Sequence, residues 1–146
     1  MSDYCGSNLS VSLSAVSERL RFGGVTMDIR YAGESMAVLE ELPPLLDTPR
    51  HVHAREDELF VSLEGEHVIE LGDDERRIGP GESIFAPRGV PHAQRRVEAG
   101  EGRMLIVVTP GGLEGFFREL AEAERAGTIG PDAYAAASER YGITWL

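Results

Sequence analysis

"RHVHAREDELFVSLEG", residues 50–65, sets two histidines one residue apart, follows them with carboxylates, and runs into an apolar stretch that closes on Glu-Gly. Side chains two apart on an extended strand point to the same face, so His51 and His53 share one. Glu58 lies five residues beyond His53, and in an unbroken strand that odd spacing would turn it to the opposite face. The polar "AREDE" segment between them is expected to turn and reset the parity. Glu58 would then open the next strand facing the two imidazoles, while Glu56 and Asp57 are expected to stay in a solvated turn.

A second stretch, "GPGESIFAPRGVPHAQRR" at residues 79–96, supplies a third histidine. Pro87, Gly89 and Pro91 dictate a tight, stiff turn after a strand ending at Ala86, and His92 begins the return strand on rigid backbone. Three neutral imidazoles and one carboxylate on a divalent cation leave a net charge near +1 and, in an octahedral shell, two open positions. Nitrogen and oxygen ligation of this kind suits Fe, Mn, Ni, Co, Cu or Zn, and ligand identity does not choose among them.

Together the two stretches resemble the paired motifs of the cupin superfamily: His51, His53, Glu58 and Gly65, then Gly81, Pro87, Gly89 and His92, at the family's spacing. The resemblance implies an all-β, single-domain cupin, a double-stranded β-helix or jelly-roll barrel, with His51, His53, Glu58 and His92 as ligands of one divalent transition metal. Glu58 is preferred to the nearer Glu56 because it keeps the six-residue spacing to Gly65 and heads the apolar strand. The family's opening Gly is replaced by Leu45 and its closing Asn by Arg96, neither a ligand position. "RFGG" and "TPGGLEGFFREL" extend the likeness to small bacterial cupins described as quercetin 2,3-dioxygenase-like, over residues 19–121.

The rest of the chain fits a barrel. Short runs such as "EHVIELGD", "ERRIGPGE" and "RMLIVVTP" recur about every ten residues between Gly, Pro and Asp, the pattern of an all-β sandwich or barrel. Upstream, Val25, Met27 and Ile29 are expected on one side of a strand, with Met36, Val38 and Glu40 following in the next. Leu113, Phe116, Phe117 and Leu120 change the period to that of an amphipathic helix, and Pro131 suits the start of a second helix ending near Gly142. The expected division is a 1–18 segment carrying an alternating edge or dimer strand, a 19–110 barrel, and a 111–146 helical segment packed on it.

The chain has 146 residues and a net charge of -11. That length suits one domain, and the charge argues against nucleic acid, which needs clustered Lys and Arg. No stretch approaches the roughly 20 apolar residues of a membrane span, and no signal-peptide pattern opens the chain, so the expectation is a cytoplasmic protein bound to no membrane. The lone Cys5 cannot form an intramolecular disulfide. Cupins commonly pair, so the resemblance implies a homodimer.

Three further residues carry expectations. His67 shares parity with Ile69 and Leu71 and should face the barrel interior, as a satisfied core histidine, as a pocket-lining acid or base, or as a supplementary metal ligand. Gln94 has the parity of His92 and is read either as a substrate or ligand contact or as a solvated strand end. Phe60 has the parity of Glu58 and lines the cavity or fills the core. The leading functional expectation is a small-molecule dioxygenase in which Glu58 takes a proton from a bound enol or flavonol-like substrate before oxygen attacks. The alternatives are a zinc-type cyclase or isomerase acting on a polyketide-like or sugar-like substrate, with Glu58 or a histidine moving the proton, and a non-catalytic metal or small-ligand binder.

Overall fold

The computed structural model describes residues 18–43, 47–98 and 102–146. The strand expected at residues 10–16, together with Cys5 and Leu45, lies outside the described residues. Among the described residues ten strands precede the helices: β1 (Glu18–Phe22), β2 (Val25–Ala32), β3 (Ala37–Leu42), β4 (His51–His53), β5 (Asp57–Glu64), β6 (His67–Leu71), β7 (Asp74–Ile78), β8 (Ser83–Ala86), β9 (His92–Arg96) and β10 (Arg103–Thr109). Then come α1 (Glu114–Ala126), α2 (Pro131–Tyr141) and a last strand, β11 (Ile143–Trp145). They form two sheets, β1-β2-β3-β10-β5-β8 and β11-β4-β9-β6-β7, whose inward faces enclose the core. This is the jelly-roll architecture expected of the chain.

Turn chemistry fixes the strand boundaries. Gly23 and Gly24 both have positive φ, which admits the tight reversal between β1 and β2. At the other end, the φ of +77° at Gly89 lets the turn before β9 fold back so that its N–H donates to the carbonyl of His53 at 2.8 Å. Asp57 fastens the same corner, accepting from the backbone N–H of Arg88 at 2.8 Å and from its guanidinium at 3.1 and 3.2 Å.

Register explains which side chains face inward. Glu58 lies opposite Ala86 on β8 and Val108 on β10, and Val108 lies opposite Ala37 on β3. The next inward row joins Phe60, Ile84, Ile106 and Leu39, and the row beyond joins Ser62, Met104, Glu41 and Met27. This corrects the expected parity of β3. Ala37 and Leu39 belong to the core while Glu40 accepts from Arg30 Nη1 at 2.9 Å and from Arg103 Nε at 2.8 Å on the outer face. Met36 is not part of the strand, because the turn at Gly33 runs on to Met36, whose carbonyl accepts from the Gly33 N–H at 2.9 Å.

Helix α1 begins after Leu113 and buries Phe116, Leu120 and Ala121, the stripe that the sequence spacing predicts. It packs against β1, with Phe117 stacked on Phe22 at 5.7 Å between ring centroids. The 111–146 segment is not helical throughout, however. After the left-handed Gly142 the chain becomes β11, which pairs antiparallel with β4 and sets Trp145 opposite His51. No described helix is long and apolar enough to cross a membrane.

Candidate metal centre

Three short structures converge on one end of the cavity. Strand β4 carries His51 and His53 on its inward face, β5 carries Glu58 past the reset turn, and β9 opens with His92 directly opposite His51. All four residues are buried, and one ligand atom from each lies within 4.8 Å of all the others. The rings of His51 and His92 are 4.4 Å apart by centroid, and those of His51 and His53 5.0 Å.

Backbone carbonyls orient two of the rings. His51 Nδ1 lies 2.7 Å from the carbonyl of Pro49, and His92 Nδ1 lies 3.2 Å from that of Val90. If each Nδ1–H donates there, each Nε2 keeps a lone pair for a metal, the arrangement that outer contacts impose on ligand histidines. Glu58 Oε2 sits 2.8 Å from His92 Nε2 and 3.3 Å from His53 Nε2. Yet Glu58 Oε2 and His92 Nε2 are buried atoms with no aligned hydrogen-bond partner. Buried polar atoms are nearly always satisfied, so these orphans, facing one another in a nitrogen and oxygen donor set, fit a divalent cation.

Glu56 was expected in solvent and is not there. It is only 4% exposed, and its Oε2 lies 3.6 Å from His53 Nδ1. Both atoms are buried and lack an aligned partner. His53 is thus the one ligand histidine in the cluster with a carboxylate beside each nitrogen, Glu58 on the metal side and Glu56 behind. The i, i+3 spacing of His53 and Glu56 across the turn was legible in sequence; its burial was not.

The charge states suit ligation. Burial pushes His51 down to about 4, against the opposing Pro49 carbonyl and with help from His92 and His53, so the ring is neutral at pH 7. Burial also works against the charged form of His53, but Glu56 and Glu58 outweigh it and its pKa is raised. Burial opposes ionisation of Glu58, yet His92, His53 and His51 more than offset it and hold the carboxyl below its ordinary range.

Beside the cluster lies a cavity of about 110 Å³ lined by His51, His53, Glu58 and, further in, Phe60, Gln94 and Glu41. Phe60 and Gln94 therefore sit where the sequence parity places them. His67 does not line this cavity. It is buried in the interior, but His67 pairs with Arg96 and Leu71 with His92 along β6 and β9, so it lies four residues, about 13 Å of strand, beyond the metal level. Its Nδ1 is 3.2 Å from Ser62 Oγ, which donates to the Gly65 carbonyl at 2.6 Å. The depth favours the core-histidine alternative over an acid, base or metal-ligand role, although only Nδ1 is satisfied: Nε2 is buried with no hydrogen-bond partner. Trp145, 4.9 Å from His51, is a cavity residue that the sequence reading missed, because a strand after the last helix carried no periodic signal.

Residues 38–108 match the family model described as Cupin domain. That match and the two-sheet barrel support the cupin superfamily. Among individual proteins, the dimethylsulfoniopropionate lyase DddQ of Ruegeria pomeroyi is 36% identical over 86 residues, or 58% of this chain; the alignment spans only 41% of that relative. The solved structure of TT1209 from Thermus thermophilus is 32% identical, covers 59% of this chain and 83% of its own, and superposes with a TM-score of 0.54. KdgF from Halomonas sp. is 19% identical, covers 64% of this chain and 86% of its own with a TM-score of 0.56, and is similar in fold alone. These matches carry the superfamily and not the narrower likeness to quercetin 2,3-dioxygenase-like proteins.

Proposed function

We propose that the protein is a metal-dependent enzyme acting on a small organic molecule, with His51, His53, Glu58 and His92 as ligands. The observation that carries this reading is the convergence of four buried donor atoms within 4.8 Å beside a cavity. A divalent cation there would polarise a substrate oxygen as a Lewis acid and leave positions open for it. The protein's own part is to orient the imidazoles through Pro49, Val90 and Glu56, to keep the inner wall of the site apolar with Phe60, and to take a proton on the Glu58 carboxylate.

Two observations favour non-redox elimination over oxygenation. The relative aligned over 86 residues is named a lyase, and the cavity of about 110 Å³ is small. An engineered protein cavity of about 150 Å³ accommodates benzene, so the enclosed part of this site suits a small substrate better than a three-ring flavonol. In the elimination, the C–H bond beside a carbonyl or carboxylate breaks and its proton passes to the Glu58 carboxylate. Its electron pair becomes the C=C bond as the group on the next carbon leaves with its own pair.

The discriminating experiment offers metal-loaded protein small carboxylates bearing a leaving group on the β-carbon, dimethylsulfoniopropionate among them, and in parallel small enols. Alkene release without oxygen uptake is the expected result. Oxygen consumption matched to substrate loss would overturn elimination in favour of the dioxygenase expected from the sequence.

A further inference from the structure

An apolar wall of the cavity is built from outside the segment that matches the cupin model. Phe22 on β1, Met27 on β2, Phe116 and Phe117 on α1, and Ile143 and Trp145 on β11 all line the cavity, and none falls within residues 38–108. The four ligand residues lie inside that segment, so the elements before and after it set what stands beside the metal end.

Trp145 stands apart on that wall. Phe22, Met27, Phe116 and Ile143 are buried core residues, whereas Trp145 is 39% exposed. It lies directly opposite His51 across β11 and β4, so both side chains leave the same face of the sheet, and the two ring centroids are 4.9 Å apart. An exposed side chain normally keeps its rotamer freedom, but this one is fixed. Its Nε1–H donates to Ser138 Oγ at 2.8 Å, and Ser138, 4% exposed on α2, donates its own hydrogen to the Tyr134 carbonyl at 2.6 Å, which leaves the hydroxyl free to accept. The backbone is tied at both ends of β11, where the Leu146 N–H donates to the Arg50 carbonyl and the Ala54 N–H to the Gly142 carbonyl, each at 2.9 Å. The indole's only polar atom is thus spent on Ser138, and what Trp145 offers a ligand is ring surface.

We infer that Trp145, held in place by Ser138, is a specificity-determining residue whose indole receives the flat, apolar part of a small substrate while the substrate's oxygen lies at the His51/His53/Glu58/His92 end. A ring already fixed by the protein loses little freedom when a ligand arrives, and aromatic contact adds to the gain from apolar burial alone. The inference rests on the metal-site reading above and adds to it which part of the substrate is recognised, and by which residue.

The test is calorimetric titration of cobalt-loaded protein with acetohydroxamate and with benzohydroxamate, which chelate a divalent metal through the same two oxygens and differ only in carrying a methyl or a phenyl group. The wild type is expected to bind benzohydroxamate about ten-fold tighter. Trp145→Ala should bring the two within about three-fold, the loss falling on benzohydroxamate and the cobalt stoichiometry staying at its wild-type value. Ser138→Ala keeps the indole but frees it, should lower the ratio severalfold, and gives a second variant if the first does not fold. Equal binding of the two probes by the wild type, binding of neither, or a preference that survives Trp145→Ala would overturn the assignment. Wild-type protein that takes up no cobalt would instead defeat the metal-site reading, so the two failures are distinguishable.

Discussion

The three histidines of the candidate metal centre are not all held alike, and that difference makes predictions at the scale of single residues. His51 and His92 face backbone carbonyls, which no side-chain substitution removes, but His53 faces Glu56. Outer contacts of this kind typically govern metal affinity by about 10- to 100-fold. Glu56→Ala is therefore expected to weaken metal binding within that range and Glu56→Gln by less, measured by competition with a chromophoric chelator. A Glu56→Ala protein with wild-type affinity would make the contact incidental. The lowered pKa of His51 has its own consequence in the metal-free protein. Its folded value of about 4 lies below the ordinary 6.5, so the contribution is full above pH 6.5 and is lost as pH falls toward 4. The loss amounts to about 3 kcal/mol by the usual conversion, partly opposed by His53, whose pKa is raised. Denaturant unfolding of metal-free protein across this range should show a steeper acid limb in the wild type than in His51→Asn. The spacing of the histidines and Glu58 made the cluster legible in the sequence. The burial of Glu56 and the inward turn of Glu41 were not, because both depend on strand register across separate hairpins, and a polar residue in a charged run carries no mark of where the sheet buries it.

Among the elements, β11 has the greatest effect on the site for its length. Three residues long, it closes the sheet beside β4 and brings Trp145 to 4.9 Å from His51. Trp145 is the sole tryptophan of the chain, so its fluorescence should report metal uptake. Loading with cobalt or nickel is expected to quench the emission with a one-to-one endpoint, and zinc to quench it far less. Unchanged emission on cobalt saturation would contradict the placement of β11. The strands and helices with clear periodicity were readable in the sequence. Among the described strands β3 was read with the wrong parity and β11 was missed, since three residues after a helix are too few to display alternation; β11 forms because β4 leaves an edge for it to pair with.

At the scale of the whole molecule, the outer face of the larger sheet carries a row read from the register as Val107, Leu59 and Phe85, the first two half-buried and Phe85 53% exposed, while Val38 beside them is already buried. An apolar row at a sheet edge invites burial against another surface, and we propose that it is the face of a homodimer. Light scattering is expected to give twice the chain mass, and Phe85→Glu to give a monomer with its metal content intact; a wild-type monomer would refute this. The barrel as a whole was legible because turn residues recur at strand-length intervals, and the motifs fixed which ends of which strands meet. What those ends must do is hold a metal. The most direct measurement is the metal content of protein purified without added metal, compared with His51→Ala and Glu58→Ala. The structure predicts about one divalent transition metal per chain in the wild type and little in either variant. His51→Ala protein carrying as much metal as the wild type would contradict it.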